Sequence, residues 1–190
     1  MRRFAFLLLM FFSGCTPVFK LVTGFRDPKL EDKTSLTKYL RKKNIDADNI
    51  LVFADSLSFY KRLKEVPDMP QVRVYNKDGM LVYYKDTMES CSGPAYEFTN
   101  TICLLSNTKT SSKKVLTTEI QNLLTMDLTP VEISKTSGSD YYVFIYWARF
   151  EGRFNKNHVR VWENNLKKVQ GCKVSVYKID MDWQKAWYKK

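Results

Sequence analysis

Tyr141-Tyr142-Val143-Phe144-Ile145-Tyr146-Trp147-Ala148 is apolar and aromatic without a break, and this run, with the forty residues C-terminal to it, decides the fold class. A run of this kind, too short for a long helix and rich in β-formers, predicts a strand covered on both faces by helices. Behind it Val159, Trp162, Leu166 and Val169 fall on one face of a helix, and Val174 to Ile179 is a second β-rich run. Strand, helix and strand in that order predict a parallel pair joined by a crossover.

Working back from this unit, Val72 and Val74 alternate with Arg73 and Tyr75, then Lys77-Asp78-Gly79 leads into Met80 to Tyr84. Two β-rich runs around Asp-Gly predict an antiparallel hairpin. Ile50 to Ala54 predicts another strand, and Asp55-Ser56 a cap for a helix carrying Leu57, Tyr60, Leu63 and Lys64. Leu36, Tyr39 and Leu40 place an amphipathic helix at roughly 30–43. Further helices are expected from Ala95, Phe98, Ile102 and Leu105, and from Leu116, Ile120, Leu123 and Leu124. The polar runs 107–114 and 135–140 read as loops. The sum is an α/β chain with a mixed sheet and flanking helices.

The first fourteen residues have a different character. Met1-Arg2-Arg3 is basic, Phe4 to Phe12 is apolar, and Ser13-Gly14 precedes Cys15, which is the layout of a secretory signal. Nine apolar residues reach roughly 14 Å as a helix, about half the hydrocarbon thickness, so a permanent span is not expected. Phe12-Ser13-Gly14-Cys15 resembles the lipobox of bacterial lipoproteins, although the family prefers Leu where this chain has Phe12. The resemblance implies cleavage before Cys15, diacylation of that cysteine, and a place in the bacterial cell envelope. Thr16, standing where an Asp would signal inner-membrane retention, favours the outer membrane. Residues 15–29 then form the lipidated N-terminus and spacer, with Val18 to Val22 open to reading as a short strand, and residues 30–190 form the α/β domain.

Counted whole, the chain carries 31 Lys and Arg against 20 Asp and Glu; without Arg2 and Arg3 the excess is +9. In a cytosolic protein such a balance would suggest nucleic acid. At an envelope address the anionic neighbours are lipid head groups, lipopolysaccharide and acidic protein partners, each basic residue near the anchor contributing about 1 kcal/mol at an anionic surface. A solvated Lys-rich surface accounts for the same charge. The expected partners are therefore the membrane, through the lipid anchor, and an envelope protein; no nucleic acid is expected.

The C-terminal unit resembles the thioredoxin superfamily, whose members carry an apolar strand ending in Trp-Ala, then an aromatic and Cys-x-x-Cys, a helix, and a strand ending like Asn-x-Asp. Here Trp147-Ala148-Arg149-Phe150-Glu151-Gly152-Arg153-Phe154 precedes the helix, and Tyr177-Lys178-Ile179-Asp180 ends the second strand. Glu151 and Phe154 stand at the two cysteine positions. Met69-Pro70-Gln71-Val72 resembles the family's cis-proline hairpin, but it precedes the Trp-Ala strand by about seventy residues instead of following it. Either the fold is circularly rearranged, or the N-terminal half is itself thioredoxin-like and the C-terminal unit extends it.

Thiol chemistry needs a low-pKa thiolate, usually at a helix N-terminus, with a resolving thiol nearby. Cys91, Cys103 and Cys172 form no Cys-x-x-Cys pair, and in an oxidising envelope Cys91 and Cys103 could form a structural disulfide with Cys172 left odd. His158 is the one histidine and lacks a Gly-x-Ser-x-Gly partner motif. Asp180 and Asp182 could approach a cation at a strand end, though acids there are ordinarily solvated caps, and no glycine-rich phosphate loop appears. No metal, cofactor or catalytic residue is expected. All four tryptophans lie within the last 44 residues, and Trp183, Gln184, Trp187 and Tyr188 read either as a partner-contact site or as a terminal helix packed on the sheet. The sequence thus favours a non-catalytic, membrane-anchored binding domain. The alternative is a thiol-disulfide oxidoreductase using unconventional cysteines, which requires two thiols within about 6 Å between Cα atoms.

Overall fold

A computed structural model describes residues 23–66, 69–84, 93–107, 109–133 and 138–188. Cys15, Cys91 and the segment Val18 to Val22 lie outside these residues. In chain order the elements are β1 (Leu30–Glu31), α1 (Lys33–Lys43), β2 (Ile50–Phe53), α2 (Ser56–Glu65), β3 (Gln71–Asn76), β4 (Met80–Val82), α3 (Gly93–Thr101), β5 (Thr110–Val115), α4 (Leu116–Ile120), β6 (Leu123–Thr125), β7 (Tyr141–Trp147), α5 (Arg160–Lys168), β8 (Val174–Asp180) and β9 (Trp183–Gln184). Seven strands form one sheet in the order β5-β4-β3-β7-β8-β2-β6, and β1 pairs with β9 in parallel. Among the described residues no helix is long and apolar enough to cross a membrane.

The parallel heart of the sheet is β7, β8 and β2, with Tyr146 level with Ile179 and Leu51 level with the same Ile179. Helix α5 makes the crossover from β7 to β8. All seven residues of β7 are buried, as expected of a strand at the centre of a two-sided sheet. The hairpin β3–β4 adds to β7 in antiparallel fashion, turning at Gly79, whose φ of +79° is open to glycine and strained for other residues. The Asn76 side-chain oxygen accepts from the Asp78 and Met80 N–H groups and holds that turn. The Met69–Pro70 peptide ahead of β3 is cis.

Period-two alternation sends β7 side chains to two cores. Val143, Ile145 and Trp147 meet Leu36, Tyr39 and Leu40 of α1, Phe98 of α3, and Trp162 and Leu166 of α5. Tyr142, Phe144 and Tyr146 meet Phe53, Phe59 of α2, Tyr75, Leu116 of α4 and Ile179. Helices α1 and α2 start where an aspartate accepts an orphan N–H: Asp32 from Ser35, at 2.9 Å, and Asp55 from Ser58, at 2.7 Å. Each core also buries charge. Lys178 meets Glu163 at 2.6 Å among the first set, and Arg62, Arg73 and Tyr75 converge on Glu119 among the second.

Three local expectations are corrected. Residues 107–114 are not a loop throughout, because β5 runs from Thr110 to Val115 as an edge strand paired only with β4, where β-branched and polar residues need no second neighbour. The helix expected through Leu124 stops at Ile120, since Asn122 turns the chain at a φ of +72° and Leu123–Thr125 joins β2 as β6. The helix begun near Ala95 stays α-helical to Thr101 and tightens to a 3₁₀ turn over Ile102–Asn107.

Candidate functional site

Strands β7 and β8 end side by side, Trp147 level with Asp180, and the chain segments leaving them build the candidate site. Open α/β sheets place their ligand sites outside the carboxyl ends of parallel strands. Four carboxylates gather there, Glu31 from β1, Glu151 after β7, Asp180 at the end of β8 and Asp182 just beyond, each at most 2% exposed. Arg149 faces them, and Arg26 and Lys29 line the same small pocket. Arg149 grips both Glu31 oxygens at 2.6 and 2.7 Å, its own N–H donates to Asp182, and its charge lies over the Tyr39 ring at 5.6 Å.

The remaining contacts fix this group from behind. The Met181 N–H donates to the Trp147 carbonyl at 2.8 Å, and Gln184 donates to Asp180 at 2.5 Å and to the Asp182 carbonyl at 3.1 Å. Asn155, fully buried, donates to the Ala148 carbonyl at 2.7 Å and to the Tyr39 hydroxyl at 2.9 Å. It opens a π-helical turn, Asn155–Val159, ahead of α5. Gly152 has a φ of +62°, and a Cβ there would lie 1.9 Å from the Gly24 carbonyl oxygen, so the residues before β1 press directly on this loop.

Burial governs the chemistry of these acids. It pushes Glu151 up to about 8, the nearby Asp182 adding to the rise while the Ala148 N–H opposes it at 3.3 Å. Asp180 is raised by burial and then by the Asp182 charge, and Asp182 is raised by burial, against the pull of the Arg149 N–H. Burial therefore favours the protonated form of all three acids. Such a group can donate and exchange protons, and among the described residues it includes no thiol. Among the described residues no set of three or more His, Cys, Asp and Glu is placed to hold a metal ion.

The sequence-derived residues partly converge here. Glu151 is buried in the group, whereas Phe154 sits at its rim, exposed, between Phe25 at 5.8 Å and His158 at 5.7 Å. Gln184 is buried in the same group. Trp187 is half-buried on Phe59, donating to the Phe53 carbonyl at 2.8 Å, and Trp183 and Tyr188 are exposed. The expected terminal helix is instead the short strand β9 and a 3₁₀ turn over Lys185–Tyr188, because pairing with β1 takes Trp183 and Gln184. Asp180 and Asp182 are not solvated caps but buried acids.

The cysteines lie elsewhere. Cys103 is bonded to Cys172, with 5.5 Å between Cα atoms, which corrects the pairing of Cys103 with Cys91 and leaves Cys172 not odd. Folding lays the 3₁₀ turn after α3 against the bend before β8, so the partner lies 69 residues away and not twelve. Glu31, Arg149 and Asn155 were missed in the sequence. Glu31 and Arg149 are 118 residues apart, and no local pattern links them. No family model, curated protein or solved structure matches this chain.

Proposed function

We propose that this chain is a bacterial envelope lipoprotein, anchored through Cys15, whose α/β domain is a rearranged thioredoxin-like fold that binds a protein or envelope component without thiol turnover. The observation that carries the reading is the replacement at the strand end after Trp147-Ala148: a buried Glu151 where the first thiol would be and an aromatic Phe154 where the second would be. The sheet supports the fold reading. A parallel β7–α5–β8 unit lies beside an antiparallel hairpin, and register puts the cis Met69–Pro70 peptide just past the pair Gln71–Tyr146, alongside Trp147-Ala148. Of the expected contact residues, Trp183 and Tyr188 offer exposed aromatic surface, so the partner surface is assigned to them.

The oxidoreductase alternative is favoured by one observation, the Cys103–Cys172 bond, whose Cα separation of 5.5 Å meets its distance requirement. Neither cysteine opens an α-helix, and the bond precedes β8, a seven-residue strand and so about 20 Å from the Glu151 end. Insulin reduction by the full-length protein separates the readings. The binding reading expects wild type and Cys103→Ser to be equally inert; turnover abolished by Cys103→Ser or Cys91→Ser would replace it with the enzyme. Intact mass of the native protein tests the anchor, since a chain that keeps Met1, or begins at Cys15 without acyl mass, removes it.

A further inference from the structure

Three basic segments meet at the loop that leaves β7. The Arg26 N–H donates to the Phe150 carbonyl at 2.8 Å, and a Cβ on Gly24 would touch the Arg153 side chain at 3.2 Å, so residues 23–26 lie along residues 150–154. The C-terminal half of α1 joins them through Tyr39, whose hydroxyl donates to the Gly152 carbonyl at 3.3 Å and whose ring lies under the Lys43 ammonium at 5.8 Å. Residues 23–29 hold two Lys or Arg, 38–44 four and 152–158 two, against a single acid, Asp27.

This charge points outward and is crowded. Arg26, Lys42, Arg153 and Lys156 are exposed. Half-buried Lys43 is held below its ordinary pKa by burial and then by Arg26, Lys156, Lys42 and Arg153, so the charges acting on it most strongly are all positive. Crowding of one sign costs self-repulsion, which an anionic neighbour relieves. Between Arg153 and Lys156 in the chain, the Phe154 ring is 36% exposed, packed on Phe25 at 5.8 Å and stacked on His158 at 5.7 Å. An exposed ring among cations suits a lipid head-group layer, where the ring meets the acyl boundary and the cations meet phosphate.

The chain itself leads from this face toward Cys15. Thr23 lies eight residues beyond that cysteine, and eight residues fully extended reach no more than roughly 28 Å. We propose that the face formed by Arg26, Lys42, Lys43, Phe154 and Lys156 docks on the anionic phospholipid head groups of the membrane that holds the anchor. The assignment rests on the reading of Cys15 as lipidated and gives the tethered domain an orientation, with the loop after β7 toward the lipid. An acyl anchor and a basic patch are also the two signals that stable membrane attachment needs.

Acylation footprinting of the native protein, reconstituted into vesicles, tests the docking. On vesicles containing phosphatidylglycerol an amine-reactive reagent should modify Lys42 and Lys156 severalfold more slowly than on phosphatidylcholine alone. Lys61, on α2 behind the sheet, and Lys77, in the β3–β4 turn at the Tyr141 end of β7, should react alike on both. Salt at about 1 M should remove the protection, because the screening length shrinks to about 3 Å. Arg26→Gln with Lys42→Gln, both at exposed positions, removes two charges worth together roughly 25-fold in affinity and should abolish most of the protection at Lys156. Phe154→Ser should weaken it severalfold. Flotation keeps the two readings apart: a protein that does not rise with phosphatidylcholine vesicles lacks the anchor, and its footprint on added anionic vesicles then judges the face alone. Equal reactivity on the two lipids, protection shared by Lys61 and Lys77, persistence in high salt, or an unaltered footprint in either variant would each overturn the assignment.

Discussion

On one side of the sheet Glu163 closes its bonds completely, and on the other Glu119 does not, although the two are buried to the same degree. Glu163 takes the Lys178 ammonium at 2.6 Å on one oxygen and the Asp46 N–H at 3.0 Å on the other, under α5 and beside Trp162. Glu119 crowds three donors onto Oε2 beside a cavity. The helices explain the contrast. Helices α1, α3 and α5, of 11, 9 and 9 residues, cover the first face, whereas α2 shares the second with the five-residue α4, too short to close over β3. Burial to the same degree therefore leaves the two carboxylates in different hydrogen-bond states.

The largest effect expected from this contrast belongs to the closed side. Glu163→Ala strands the Lys178 ammonium, 3% exposed, and should cost roughly 3–5 kcal/mol in urea unfolding. Replacing both partners, Glu163→Leu with Lys178→Met, should recover most of that loss, because it is the uncompensated charge and not the missing pair that destabilises. A single-variant cost below about 1 kcal/mol would mean that this side is wetter than its contacts imply, and the contrast would fail.

An intermediate effect is expected at the edge where both faces end. Glu151 folds with its pKa pushed up to about 8 from the ordinary 4.5, so the native state keeps a proton that the unfolded chain has released. Stability should therefore be full below about pH 4.5 as far as this group is concerned, fall as pH rises, and level off above about 8, by an amount on the order of a few kcal/mol. The rises at Asp180 and Asp182 act in the same direction, with Arg149 and Glu31 as the facing charges. Asp32 works oppositely and in a separate window. Its contacts with Lys185 and Ser35 hold it at about 2, so its contribution is lost as pH falls from 3.8 through 2. Thermal unfolding from pH 4.5 to 8.5 measures the edge, and Glu151→Gln should flatten the slope. An unchanged slope would assign the dependence to other groups.

Much of the closed side was legible in the sequence. The unbroken run Tyr141 to Ala148, the spacing of Val159, Trp162 and Leu166, and the β-rich Val174 to Ile179 encode strand, crossover and strand in neighbouring residues, and the structure has them as β7, α5 and β8. Asp55-Ser56 and Asp78-Gly79 were equally local signals, a cap and a turn. Pairings between distant segments could not be read. Cys103 finds Cys172 and Arg149 finds Glu31 only after the sheet assembles, and β5 gives little sign in Thr-Ser-Ser-Lys-Lys because an edge strand needs no apolar stripe. Asp180 and Asp182 misled for a related reason: a strand end is exposed only if nothing packs over it, and here β9, Arg149 and Gln184 do.

The smallest of the three effects should come from the open side, and it is the one that tests the contrast directly. Glu119→Ala removes the acceptor shared by Arg62, Arg73 and Tyr75, which by analogy with Glu163 would leave two guanidinium groups unpaired. The analogy fails in two respects. Glu65 still stands 3.5 Å from Arg62 and 3.9 Å from Arg73, and Arg73 keeps the Glu65 carbonyl; the adjoining cavity also admits water or an anion to whichever donors are freed. The expected cost is therefore about 1–3 kcal/mol, the range for a lost hydrogen-bond partner, and below that of Glu163→Ala. It should also shrink when chloride is raised, because an anion can enter beside the arginines, whereas the Glu163→Ala deficit should not respond. Equal costs and equal salt responses in the two variants would show that the cavity offers no access, and the distinction between the two faces would reduce to helix length.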